Sequence, residues 1–317
     1  MKLLLMPLLL MALLINSVWA APTGRIFVTN EKSNSVSVIN GTSLEVESTI
    51  NIGERPRGIG LSPDGNELYV AVSEENKIKV VDPASLKIIR EFEAGSDPET
   101  FAVHPNGNIY ISNEDDAKAT VFNPKTGEQV AEIRVGLEPE GVAISPNGKR
   151  VIVTSESTNM LHVIKVPENT IESNILVGSR PRAATFTQSG DIAYATAEIS
   201  GEVVKVDMNA GKILKKGTTG DSSSKPKDVV LSKDEKVIYV AGGRANKVVV
   251  MDADSLEIIK KIPVGKRVWG LTISKDGKHV FSTDGVSGTV SVIDTDKNEV
   301  IKTIEVGKFP WGIVIND

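Results

Sequence analysis

A period close to 42 residues runs through the whole chain and limits what it can fold into more than any other feature. Prolines fall at Pro56, Pro98, Pro139, Pro181, Pro226 and Pro310, with Val268 at the one vacant place, so the intervals are 42, 41, 42, 45, 42 and 42 residues. Each lies a few residues after a glycine, as in IGERPRG at 52–58, VGLEPEG at 135–141 and VGKFPWG at 306–312. A short apolar run follows each, then a turn: SPDG at 62–65, HPNG at 104–107, SPNG at 145–148, QSGD at 188–191, SKDE at 232–235 and SKDG at 274–277. Proline presets φ and glycine accepts positive φ, which is what tight turns require.

Between the turns, runs such as LYVAV at 68–72, KIKVV at 77–81 and VSVID at 290–294 are β-branched and alternate with period two. That pattern predicts four antiparallel strands per repeat, here called A (after the proline), B, C and D, with no helix of ordinary length. The two ends complete each other. The chain enters at strand B with RIFVTN at 25–30 and stops after strand A with WGIVIND at 311–317. One repeat split in this way closes a ring and leaves no inner edge unpaired. A-strand positions near 57, 99, 140, 182, 227, 269 and 311 make seven blades, so the expected fold is an all-β seven-bladed β-propeller spanning residues 21–317 as one domain.

IFVTN at 26–30, LYVAV at 68–72 and IYISN at 109–113, joined to the VGxxPxG and SPDG elements, resemble the YVTN repeat of bacterial and archaeal β-propellers. A single exported domain of seven such repeats is similar to the periplasmic propellers associated with pyrroloquinoline quinone (PQQ)-dependent alcohol catabolism. The resemblance implies a binding or accessory protein of that pathway. The quinone dehydrogenases themselves resemble eight-bladed propellers with tryptophan-docking repeats, which this chain lacks. The same architecture serves many functions, so function has to be argued from the site.

Composition narrows the chemistry. Met1–Ala20 has one cation at Lys2, an apolar run from Leu3 to Ile15 and small residues before Ala21, the pattern of a signal peptide cleaved after Ala20. Periplasmic export with no membrane span after cleavage is the expectation. The cysteine count of 0 excludes disulfides, thiolate metal sites and covalent haem attachment. A net charge of −5 with both signs interspersed gives no footprint for nucleic acid. The 3 histidines, His104, His162 and His279, occupy three different repeat positions, which argues against a shared metal or a catalytic triad. No catalytic residue, metal ligand or cofactor is assigned, and a monomer is expected.

The loops joining strand D to the next strand A bracket the proline with polar pairs: Arg55/Arg57, Asp97/Glu99, Glu138/Glu140, Arg180/Arg182, Lys225/Lys227, Arg267/Trp269 and Phe309/Trp311. Strand order places the B-to-C loops on the same face, and these begin with Glu31, Glu74, Glu114, Glu156, Glu198 and Asp284. The expectation is a water-facing inner rim of 7 cations and 4 anions surrounded by 6 carboxylates. Ion pairs such as Arg57 with Glu74 and Arg182 with Glu198 would be the structural use of that rim. The functional use would be a channel-mouth binding site of Trp269, Trp311, Phe309, Arg267, Arg57, Arg55, Arg180 and Arg182 for a protein partner or small anionic metabolite. The alternative is a propeller lactonase with a metal held at the mouth by Glu31, Glu74, Glu114 or Asp284. Ser222 to Ser224 lengthen one loop on this face and are expected to be mobile.

Overall fold

The computed structural model describes residues 22–221 and 223–317. The expected signal segment and Ser222 lie outside them. The described residues form seven four-stranded antiparallel sheets, each running from an inner A strand to an outer D strand. Blade one is assembled from both ends: its A strand, Pro310–Asn316, pairs with Arg25–Asn30, followed by Ser35–Asn40 and Glu45–Asn51. The A strands of blades two to seven are Pro56–Leu61, Pro98–Val103, Pro139–Ile144, Pro181–Phe186, Val229–Leu231 and Val268–Ile273. The only helical elements among the described residues are single 3₁₀ turns at Ser73–Glu75 and Gly243–Ala245, both in B-to-C loops. Among the described residues, no helix is long and apolar enough to cross a membrane.

The core lies between blades. B and C strands are buried on both faces, and each apolar cluster joins neighbouring blades, as Ile152, Leu161 and Val163 of blade four do with Ala193, Val204 and Val206 of blade five. A threonine or serine near the end of most B strands fastens the seam. The Thr154 hydroxyl donates to the Arg182 carbonyl at 3.1 Å and that of Thr196 to the Lys227 carbonyl at 2.8 Å, each one blade on.

The predicted turn glycines Gly65, Gly107, Gly148 and Gly277 have φ of 70°, 92°, 69° and 79°. At Gly148 a β-carbon would also stand 2.8 Å from His104 Nε2, which bonds the Gly148 carbonyl at 2.7 Å. Gly148→Val should therefore destabilise the protein by about 1–3 kcal/mol. Chemical denaturation measures this, and an unchanged midpoint would refute it.

Candidate functional site at the channel mouth

A repeated irregularity builds the site. In six of the seven blades the A–B pairing shifts register just after the proline position, as between Pro139 and Val142 or Pro56 and Ile59. Such a bulge re-aims the residues within it. The displaced side chains are Trp311, Arg57, Glu99, Glu140, Arg182 and Trp269, joined in blade six by Lys227. Small residues at the next position let neighbouring A strands close up. A β-carbon on Gly141 would lie 2.2 Å from the Arg182 carbonyl oxygen, and one on Gly270 2.5 Å from that of Trp311.

This geometry corrects the expectation of a water-facing rim. Glu99, Glu140, Arg182 and Lys227 are buried, with exposures of 0, 4, 6 and 7%. They survive burial by pairing between blades. Arg55 reaches Asp97 at 2.7 Å and Glu99 at 3.0 Å, while Arg57 donates to Glu99 and lies 3.8 Å from Glu31, not against Glu74. Arg182 takes Glu140 at 2.5 Å, donates to Glu156 and lies 3.7 Å from Glu198. Arg180 reaches Glu156 at 2.5 Å and Lys227 reaches Glu198 at 2.6 Å.

The outer ring of six carboxylates is also corrected. The B-to-C loops do lie over the D-to-A loops: the amides of Glu31, Ser73, Glu114, Glu156, Glu198 and Gly285 donate to the carbonyls of Phe309, Arg55, Asp97, Glu138, Arg180 and Arg267. Asp284 thus sits one residue before the ring position, and in a strand one residue reverses the direction of the side chain. It is fully buried and accepts from Ser282, Thr289 and Ser291. Glu74 stands one residue after the ring position and is exposed. Glu156 and Glu198 are buried within the pairs above, Glu31 keeps 11% of its side chain in water, and Glu114 is half-buried.

Asp97, Glu99 and Glu114 come close enough together to hold a cation. Two arginines already occupy Asp97 and Glu99, and Glu99 shares a hydrogen bond with Glu114. Burial, then the nearby Glu140, push the Glu99 carboxyl up to about 9. Burial also raises Glu114. Carboxyls that share protons and lie against guanidinium groups are poor metal ligands. The cluster is an ion-pair network. Of the carboxylates expected to hold a metal, Glu114 belongs to it, Glu31 touches it through Arg57 at 3.8 Å, and Glu74 and Asp284 lie outside it.

The aromatic part of the ring is different. Trp269 and Trp311 stack with centroids 6.2 Å apart and planes inclined by 27°, and both are partly exposed. Lys227 lies 4.3 Å, Arg267 4.9 Å and Arg182 5.6 Å from the Trp269 ring, and Arg57 5.5 Å from that of Trp311. Phe309 stands apart from this pair, exposed on its loop and lining a surface groove with Val286 and Lys308. The indoles border a central cavity of about 180 Å³, walled by Trp269, Trp311, Arg182, Lys227, Glu140 and Asp228 among others. A pocket of roughly 150 Å³ accepts one benzene ring, so this one has room for a single ring with its substituents at the mouth. Burial, then the charge of Arg182, lower the Lys227 ammonium to about 7.

Asp228 is a site residue that the sequence reading missed. Where the other blades carry glycine, alanine or threonine after the ring residue, blade six has this carboxylate, and its regular A strand starts only at Val229. Its oxygens accept the Val229 amide and, across the seam, the Leu271 amide, each at 2.8 Å. The second bond takes over a seam whose B strand offers Ala241 in place of a hydroxyl. Burial raises this carboxyl to about 6. Its singular place among seven aligned repeats was the available signal. The histidines serve locally: His162 Nε2 accepts the Gly136 amide at 2.8 Å and its Nδ1 pairs with Asn174 at 2.6 Å.

A family model described as Lactonase, 7-bladed beta-propeller matches residues 142–305, and one described as Choice-of-anchor I domain matches residues 26–182. A comparison with curated proteins gives no match. Among solved structures, a functionally unknown protein from Desulfotomaculum acetoxidans is 16% identical with a TM-score of 0.80, covering 92% of this chain and 98% of the other. A putative 6-phosphogluconolactonase from Bacteroides fragilis is 18% identical with a TM-score of 0.79 over the same shares, 92% and 98%. Hydrazine synthase from Kuenenia stuttgartiensis is 20% identical with a TM-score of 0.75, covering 81% of this chain and 88% of that one. At such identities these likenesses speak for the fold alone.

Proposed function

Because this chain belongs to the family of seven-bladed β-propeller lactonases, we propose that it works from its channel mouth, as an exported binding protein that captures a small anionic metabolite carrying a ring. The stacked pair Trp269 and Trp311, with four cations on the indole faces and a cavity of one-ring size beside it, carries this reading. Aromatic faces give a planar ligand contact area, and the cations favour a negative one. The segment Met1–Ala20 supports a periplasmic location, and the likeness of the repeats to the YVTN propellers supports a place beside PQQ-dependent alcohol oxidation.

A second reading, hydrolysis of a lactone in the same cavity, draws on the family and on Asp228. That carboxylate borders the cavity and is a base above pH 6. It would take a proton from a water that adds to the lactone carbonyl. The ring C–O bond then breaks, and the ring oxygen leaves with a proton as the hydroxyl of a hydroxy acid.

Tryptophan emission tests the first reading, because cleavage after Ala20 removes Trp19 and leaves only the two mouth indoles. Benzoate should quench that emission at saturating concentration. Its affinity should fall about tenfold between pH 6 and pH 8 as Lys227 loses its proton, the effect of losing an attraction on the order of 1.4 kcal/mol. An absence of quenching, or an affinity flat across that range, would contradict it. Turnover of glucono-δ-lactone that is abolished by Asp228→Asn would instead establish the second reading.

A further inference from the structure

The charged side chains of the mouth are almost all spoken for. Arg55 has Asp97 and Glu99, Arg57 has Glu99, Arg180 has Glu156, Arg182 has Glu140 and Glu156, and Lys227 has Glu198. Lys225 rests on the Ile199 carbonyl. Arg267 is the exception. Its guanidinium meets no carboxylate and no carbonyl among the described residues, and its Nε is buried without an acceptor.

The main chain gives the reason. Arg55 and Arg267 occupy the same position in their repeats and have the same left-handed conformation, with φ of 57° and 60°. Each amide is held by an asparagine of the preceding blade, Asn34 at 3.3 Å and Asn246 at 2.9 Å. From that common base Arg55 reaches forward to Asp97 and Glu99 of the next blade. The corresponding residues ahead of Arg267 are Phe309 and Trp311, which offer no negative charge. Arg267 turns instead over the Trp269 face.

Two more buried donors in the same cluster lack acceptors: Trp311 Nε1, and the Nε of Arg57, whose guanidinium lies 5.5 Å from the Trp311 ring. The orphaned arginine Nε of Arg180, by contrast, lies against a carboxylate. The aromatic side of the mouth therefore holds buried N–H donors without acceptors and one guanidinium without a carboxylate. An acceptor is missing.

Resting on the reading of the mouth as a binding site, we propose that the ligand is an aromatic or otherwise planar monocarboxylate, and that Arg267 takes its carboxylate as Arg55 takes Asp97 and Glu99. A guanidinium matches the two oxygens of a carboxylate with paired N–H donors. Of the four cations on the indole faces, Arg267 alone lacks a carboxylate partner among the described residues, so it is the one free to pair with a single negative charge; Arg57, Arg182 and Lys227 each already hold a glutamate, and a phosphate dianion would need a second free partner.

Benzoate, benzamide and phenyl phosphate, titrated into the mature protein by calorimetry, separate the possibilities. Benzoate should bind at least about tenfold more tightly than benzamide, the scale of one charge-assisted hydrogen bond, and no more weakly than phenyl phosphate. Arg267→Gln should lower benzoate affinity about tenfold more than benzamide affinity and so remove the preference for benzoate. Equal affinities for benzoate and benzamide in the unaltered protein, or a preference that survives in Arg267→Gln, would overturn the role of Arg267 and leave the aromatic site standing. Tenfold tighter binding of phenyl phosphate would overturn the choice of a carboxylate. If none of the three binds, the binding reading itself falls, and this inference with it.

Discussion

A chain ending at Lys308 should give no monomeric protein with a cooperative melting transition. The lost segment holds the A strand of blade one, which pairs with the first strand in the register Arg25 with Asn316, Ile26 with Ile315, Phe27 with Val314 and Val28 with Ile313. Ile313 belongs to the core cluster of Ile26, Val28, Phe281 and Val290, against which Ile315 also packs. Asn316 holds the Gly65 turn of the next blade at 2.8 Å, and the Gly312 amide donates to the Thr29 hydroxyl at 2.9 Å. A fully buried isoleucine or valine contributes about 1.5–3 kcal/mol, so losing buried Ile313, half-buried Val314 and Ile315 and the tryptophan together approaches the whole stability of a domain, about 5–15 kcal/mol. The strand Arg25–Asn30, almost wholly buried in the closed ring, would become an edge open to pairing with other chains. Size exclusion and scanning calorimetry of the truncated protein should report aggregate and no transition. A monomer with an unchanged melting temperature would refute ring closure as the source of stability.

The fold was legible because the information that specifies it repeats. Proline, glycine and β-branched alternation recur with one spacing, and an isolated irregularity cannot disguise a pattern present seven times. The two halves of blade one were legible for the same reason, since RIFVTN and WGIVIND each match only part of the unit. The site was legible in its membership and misread in its depth. A charged residue directly after the proline, such as Glu99 or Arg182, reads locally as solvated loop. Its burial follows from a bulge and from partners in other blades: Glu140 lies 42 residues before Arg182 in sequence and 2.5 Å from it in space. No local pattern records that pairing. The misplacement of Asp284 and Glu74 has a simpler cause. Their loops were aligned by the first acidic residue and not by strand position, and one residue of offset carries a side chain from ring to core or out to solvent. Asp228 interrupts the repeat, and in a repeat protein the interruption is where a site differs from its scaffold.

The proposal that the mouth of the channel is a binding site rests above all on Trp269 and Trp311. Both replace residues that are charged in the other five blades, so nothing in the repeat demands an indole there. Both remain partly exposed, Trp269 beside Lys227, Arg267 and Arg182 and Trp311 beside Arg57, an arrangement that leaves aromatic surface in water without gaining a closed core. Aromatic anchors of this kind each contribute about 2–4 kcal/mol to capture. The fold depends on them less, because the bulge, the Gly270 and Gly312 backbones and the hydroxyl bond from Thr283 to the Trp311 carbonyl at 2.7 Å remain when the rings are removed. The most direct measurement is the affinity for benzoate of the protein carrying Trp269→Ala and Trp311→Ala together, determined by calorimetry alongside its thermal unfolding. The predicted result is a loss of at least about a hundredfold in affinity, some 3 kcal/mol, with a melting transition that stays cooperative. Binding undiminished in a double variant that folds normally would contradict the account.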